Sequence, residues 1–178
     1  MNSNVGLSLE GDVDYLAKRG VDQEAQWLSP QEMRLWRAWL DVTWRVERAV
    51  SEQIRRDAGI THNEYGILTM LSQAPDRAAR MSAISAAMHI PRTRLTHQID
   101  RMQCAGLVSR RPFPSDSRVV LVELTDLGAD LLTRTAADHA RTVRSAFLDA
   151  LDPDQIHTLT GLLEATNTHM QARPAADE

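Results

Sequence analysis

Five side chains within one short segment, Arg92, Thr93, Arg94, Thr96 and His97, are of the types that read the edges of base pairs. A guanidinium can donate to guanine O6 and N7 together, and a threonine can bond either kind of edge or pack on a thymine methyl. An α-helix fits the B-DNA major groove and offers its amino-terminal residues to the bases. Arg101, further along the same helix, suits a phosphate or an acid within the chain. Arg110 and Arg111 then alternate across a strand, so at most one of them faces a duplex easily. Asp116-Ser117-Arg118 follows on a turn-rich segment. An arginine on a protruding tip suits a narrow minor groove, where the potential is most negative. Asp116 would repel phosphate, so its expected part in this interface is to orient Arg118 or another arginine through a charge-assisted hydrogen bond.

Charge distribution supports the same reading. From Arg77 to Arg118 there are eight arginines (77, 80, 92, 94, 101, 110, 111, 118) and two acids, Asp100 and Asp116. That stretch carries +6 in a chain of net charge −4, which leaves −10 for everything else. Phosphate contacts depend on local charge, so an acidic protein can still address a polyanion with one face. The polyanion expected is double-stranded DNA.

Other classes fare worse. The sequence has no Gly-rich phosphate loop, nucleophile elbow or His-Glu metal motif, so neither an enzyme nor a cofactor is expected. Its six histidines include no pair spaced i, i+3 or i, i+4, which argues against a metal site. No apolar run approaches the ~18 residues of a membrane span, and MNSNVGLSLEGDVD lacks the features of a signal peptide. The single cysteine, Cys104, excludes an intramolecular disulfide. Cysteine usage of this kind points to a reducing compartment, and the expected location is the cytoplasm.

The elements that must position these residues can be placed from capping signals and apolar spacing. Residues 1–28 form an extension in which Val13, Leu16 and Ala17 mark a short helix stopped by Gly20. Ser29-Pro30-Gln31-Glu32 opens a long helix to about Asp57, with Met33, Trp36, Leu40, Trp44, Val50 and Ile54 near one stripe. Residues 29–60 are its span. Thr61-His62-Asn63-Glu64 opens a second helix to about 72, with Tyr65, Leu68 and Leu71 inward. Residues 73–80 read as loop. Ser82 is expected to cap a helix over 82–88, and Pro91 to begin one over 91–105. Leu95, Ile99 and Met102 form the inner edge of the latter, leaving the arginines outside. Strand-like 107–111 and 119–124 flank the turn-rich 112–117, which makes a hairpin. Residues 61–124 thus form one lobe. Thr125 caps a helix to about Ala150 and Asp152-Pro153-Asp154-Gln155 opens the last, in which Ile156, Leu159, Leu163, Thr166 and Met170 approach a heptad seam. These two occupy 125–172, and 173–178 are expected to fray.

The fold class implied is mainly α with a small β-hairpin wing: a winged helix-turn-helix with long dimerisation helices. The first, fifth and sixth helices carry more apolar surface than a small reading lobe can cover, so a symmetric homodimer in which they interlock is expected. A winged-helix module that docks a protein instead of specific DNA is the alternative, and it would carry an apolar or mixed reading face.

Met81-Ser82 through Asp100-Arg101, Gly106-Leu107-Val108, Arg110-Arg111, the Asp-x-Arg tip and Leu124-Thr125-x-x-Gly128 together resemble the multiple-antibiotic-resistance regulator (MarR) family over about residues 29–172. The resemblance implies an obligate homodimer and usually a repressor acting at pseudo-palindromic operators. It also implies release by a small, often aromatic or anionic, effector held between the dimer helices and the DNA-binding lobe. Trp36, Trp39 and Trp44 lie on the helix that commonly lines that cleft, and His62, Tyr65, Met70 and Met81 are candidates to complete it. Cys104 invites comparison with relatives that sense peroxide through a cysteine. Its place late in the reading helix predicts instead a buried, inert thiol.

Overall fold

The computed structural model describes residues 28–113 and 116–172, with side chains for all of these except 116–118. The expected helix near Val13 and the tail at 173–178 lie outside the described residues. The chain divides at Asp41/Val42 into two units. The first holds the start of helix α1 (Pro30–Ala58), where Ser29 and Glu32 cap reciprocally: the Ser29 amide donates to Glu32 Oε2 at 2.7 Å and the Glu32 amide to Ser29 Oγ at 3.3 Å. On this unit Leu35, Trp36 and Trp39 are exposed.

The second unit continues α1 and adds α2 (His62–Gln73), β1 (Ala78–Arg80), α3 (Met81–Met88), α4 (Arg92–Cys104), β2 (Val108–Phe113), β3 (Asp116–Leu124), α5 (Asp126–Ala146) and α6 (Pro153–Ala172). Three-residue 3-10 turns occupy Pro75–Arg77 and Leu148–Ala150. The strands form an antiparallel sheet in the order β1-β3-β2. Strand β1 is a correction, because 73–80 reads as loop. Ala-Ala-Arg has little strand propensity, yet β3 offers it a free edge. Left-handed Asp76 (φ 53°) and Arg77 (φ 51°) turn the chain so that Ala78 pairs with Glu123. The hairpin tip is also shorter than the turn signals suggest, with Phe113 already opposite Asp116. Pro112 is tolerated inside β2 because that strand lies at the sheet edge and a bulge follows it.

One core holds the reading lobe. Ile67, Leu68 and Leu71 of α2, Ile84 of α3, and Leu95, Ile99 and Met102 of α4 close against Leu107, Val108, Val122, Leu124 and Leu131. A second cluster joins Val50 and Ile54 of α1 to Tyr65 of α2. Helix starts follow the sequence signals in part. Thr61 and Glu64 complete a capping box, Thr125 Oγ1 accepts from the Gly128 amide, and Asp152 and Gln155 cap reciprocally. Ser82 is not a cap: α3 starts at Met81 after Arg80, with no side-chain cap. Pro91 stands just before the first turn of α4 instead of within it. Helix α5 ends at Ala146, short of the expected Ala150, because Phe147 leaves helical geometry (φ −141°, ψ −56°).

Two devices aim α4 and the wing. Between α3 and α4, His89 takes a left-handed conformation (φ 51°) and Ser85 Oγ donates to the Ile90 carbonyl at 2.7 Å, setting the turn. After α4, Gly106 (φ 73°) ends the helix in a Schellman motif, with the Leu107 amide on the Met102 carbonyl and the Gly106 amide on the Gln103 carbonyl, each at 2.9 Å. Thr125 Oγ1 then donates to the Gly106 carbonyl at 2.7 Å, tying the start of α5 to that turn. Gly128 lets α5 seat there. A Cβ at 128 would run into the Leu107 carbonyl and stand 2.7 Å from Leu124 Cδ1. Gly128→Ala gains up to about 1 kcal/mol of helix propensity. Overpacking against fixed backbone costs roughly 1–3 kcal/mol, so a net loss is expected. Urea unfolding should show a lower midpoint for this variant; an equal or higher one would contradict the packing.

Candidate nucleic-acid interface

Helix α4 is pinned by its inner face. Leu95 and Ile99 are fully buried and Met102 is 1% exposed. Each such side chain is worth about 1.5–3 kcal/mol of burial, so no rotation of the helix competes. Arg92, Thr93, Arg94, Thr96 and His97 are consequently all exposed on the opposite face. Thr96 spends its hydroxyl proton on the Arg92 carbonyl at 2.9 Å. Arg92 and Arg94 meet no carboxylate among the described residues.

Arg77, Arg101, Arg110 and Arg111 are instead set against acids. Arg101 Nη2 donates to Glu64 Oε1 at 3.1 Å, while Glu64 Oε2 accepts the Thr61 amide at 2.9 Å. One buried carboxylate therefore caps α2 and fastens α4 to it. Arg110 reaches back to α4, with Nη2 2.7 Å from Asp100 Oδ1 and Nη1 2.8 Å from Gln103 Oε1. Arg111 lies on the other face of β2 and donates from Nε to Glu123 Oε2 at 2.8 Å. Arg77 stands 3.6 Å from Asp126. Asp116 and Arg118 lie on β3 beside the wing tip, and their side chains fall outside those described. Arg80, absent from the candidate set, has its Cζ 4.5 Å from the centroid of the Phe113 ring and no carboxylate partner among the described residues. Glu64, Glu123 and Phe113 carry no spacing signal that would have revealed these pairings, because each partner lies on another element.

The effector candidates differ in exposure. Trp36 and Trp39 are 49% and 47% exposed, and Trp44 is 66% exposed. Met70 and Met81 are partly buried against the core of the reading lobe. His62 and Tyr65 come together around His139, which was not anticipated. His62 Nδ1 is 2.8 Å from Glu47 Oε2, its ring centroid is 6.3 Å from that of His139, and the Tyr65 ring lies 4.7 Å from His139. Beside them an open cavity of about 390 Å³ lies between α2, α5 and β3, bounded by Tyr65, Thr69, Ser72, Arg77, Leu132 and Ala136 among others. Cys104 is exposed, contrary to the expected buried thiol, because it belongs to the outer side of the last turn of α4. Among the described residues no cluster of histidine, cysteine and acids is arranged to hold a metal ion, and no helix is long and apolar enough to cross a membrane.

A helix-turn-helix followed by a hairpin wing, set between long helices and presenting arginines that meet no carboxylate among the described residues, defines a winged-helix protein. Residues 60–120 match the MarR family. Sco3205 of Streptomyces coelicolor, a MarR family transcriptional regulator solved in complex with DNA, is 35% identical with a TM-score of 0.79, covering 84% of this chain and 94% of that one. AbsC, another MarR family regulator of that organism, is 32% identical with a TM-score of 0.79, covering 84% of this chain and all (100%) of its own. The HTH-type transcriptional regulator YkoM of Bacillus subtilis is 29% identical over 131 residues, 71% of this chain and 82% of YkoM. The chain belongs to the MarR family of transcriptional regulators.

The histidine cluster has a pH consequence. Burial, and then the neighbouring His62, hold His139 below the ordinary value of 6.5. As pH falls, the unfolded chain therefore takes up this proton first. The contribution of His139 is complete above pH 6.5 and is lost as pH drops through its folded value. The unfolding midpoint of the wild type should fall between about pH 7.5 and about pH 5.5, and His139→Gln should flatten that part of the curve. Equal slopes in both proteins would contradict the assignment.

Proposed function

We propose that this regulator is a homodimer that binds a pseudo-palindromic operator sequence-specifically and represses transcription. Arg92, Thr93, Arg94, Thr96 and His97 enter the major groove, and the wing bearing Asp116 and Arg118 reaches the adjacent minor groove. The observation carrying this reading is that acids are set against Arg101 and Arg110 around α4, while Arg92 and Arg94 at its amino-terminal end are exposed and meet no carboxylate among the described residues. Arg101, Arg110 and Arg111 act mainly as fasteners that hold α4 and the wing in register, with any phosphate contact secondary. A docking module would have an apolar or mixed face here.

The dimer rests on unburied apolar surface. Helix α6 buries none of its 20 residues, and Ile156, Leu162, Leu163 and Met170 are exposed at 37%, 62%, 36% and 67%. A helix with no buried face gains nothing from tertiary packing, so a second copy is its natural cover. Residues 29–60 and 125–172 would supply that scaffold and 61–124 the reading lobe. Two reading helices then sit roughly one helical turn (~10 bp) apart. Loss of operator binding when a small aromatic or anionic effector arrives completes the proposal. The cavity beside Tyr65 supports it by its size. Trp36, Trp39 and His62 remain candidates for the same role.

The test is binding to operator duplexes selected from random sequence, with single-base variants of each. Arg92→Ala and Arg94→Ala should each cost about 1–3 kcal/mol and relax preference at particular base pairs. Equal affinity for all variants in the wild type at low salt would overturn sequence-specific reading and favour docking.

A further inference from the structure

Arg80 lies at the end of β1, on the edge of the sheet away from β2, and its side chain crosses β3 to the ring of Phe113. Phe113 pairs with Asp116, the last rung before the wing tip. The guanidinium of an edge strand is thereby delivered to the tip end of the hairpin. Besides Arg92 and Arg94, the arginines between 77 and 111 are Arg77, Arg80, Arg101, Arg110 and Arg111, and Arg80 alone of these five has no carboxylate in reach among the described side chains. An aromatic face holds a guanidinium through its π cloud without using any N–H, so the donors in the guanidinium plane stay free. Fixing the side chain beforehand also removes ordering cost on binding. Arginine suits this because a planar ion can stack and still bond two phosphate oxygens at its edge.

We infer that Arg80, stacked on Phe113, is a phosphate-contacting arginine that anchors the tip end of the wing to the DNA backbone beside the groove reached by the wing tip. This rests on the DNA-reading function proposed above. It adds a contact that positions the protein without choosing sequence, which separates Arg80 from Arg92 and Arg94.

The experiment is fluorescence-anisotropy titration of the full chain with its selected operator duplex over a series of KCl concentrations, together with thermal melts. Arg80→Gln should weaken binding on the order of tenfold, the loss of one charge-assisted contact. It should flatten the log K against log [salt] slope by about 0.9 for each Arg80 on a phosphate, and leave the ranking of operator variants unchanged. Arg80→Lys keeps the charge and should retain the wild-type slope. Phe113→Leu should weaken binding in the wild-type background and have no further effect on Arg80→Gln. An unchanged slope and affinity for Arg80→Gln, while Arg92→Ala and Arg94→Ala weaken binding, would overturn this inference and leave the DNA reading standing. Equal losses for Phe113→Leu in both backgrounds would overturn the stacking. A wild type without salt-sensitive operator binding would sink both proposals. If Arg80→Gln melts early, Arg80→Lys and Phe113→Leu decide: a slope lost in Arg80→Lys contradicts a phosphate contact, and a slope kept there with weaker Phe113→Leu binding supports it.

Discussion

Burial of one edge of α4 is the constraint from which the rest follows. Leu95, Ile99 and Met102 close the core of the reading lobe against Leu68, Ile84 and Val122. With that edge inside, helical periodicity leaves Arg92, Thr93, Arg94, Thr96 and His97 no place except solvent. The Ser85–Ile90 bond before the helix and the Schellman turn after it fix where its two ends lie. A site on a helix locked in this way is more precise than one carried by a loop.

Electrostatics then sorts the charge that packing has exposed. Glu64, Asp100, Glu123 and Asp126 are single acids, each set against one arginine. Partly exposed pairs of this kind add little net stability, commonly less than about 1 kcal/mol. Their effect is geometric. Asp100 with Arg110 joins α4 to β2, and Glu64 with Arg101 joins α4 to α2, so the helix, the wing and the helix behind them are fastened in one register. Density of positive charge along the chain is therefore a poor guide to which arginine is free.

Much of this was legible in the sequence for identifiable reasons. The capping boxes at Ser29 and Thr61 and the helix opening at Asp152 are local, and local signals survive folding. So did the inner edge of α4, because a 3.6-residue repeat declares itself. Strand β1 was missed because Ala78–Arg80 forms only where β3 offers an edge, and no nearby residue encodes that. Ser82 looked like a cap, but the chain enters α3 straight from a strand whose pairing dictates its direction. The pairing of His62 with His139, and of Arg80 with Phe113, joins elements far apart in sequence, and spacing rules are blind to such contacts. Cys104 was expected inside on the strength of its apolar neighbours, yet the helix turns it outward.

The central claim, that α4 lies in the major groove with its arginine-bearing end against the bases, is tested most directly by dimethyl sulfate protection of guanine N7 on a selected operator. The account predicts protection in two short patches whose centres lie about one helical turn apart, since N7 opens only into the major groove. Binding that leaves every guanine N7 as reactive as in free DNA would contradict it.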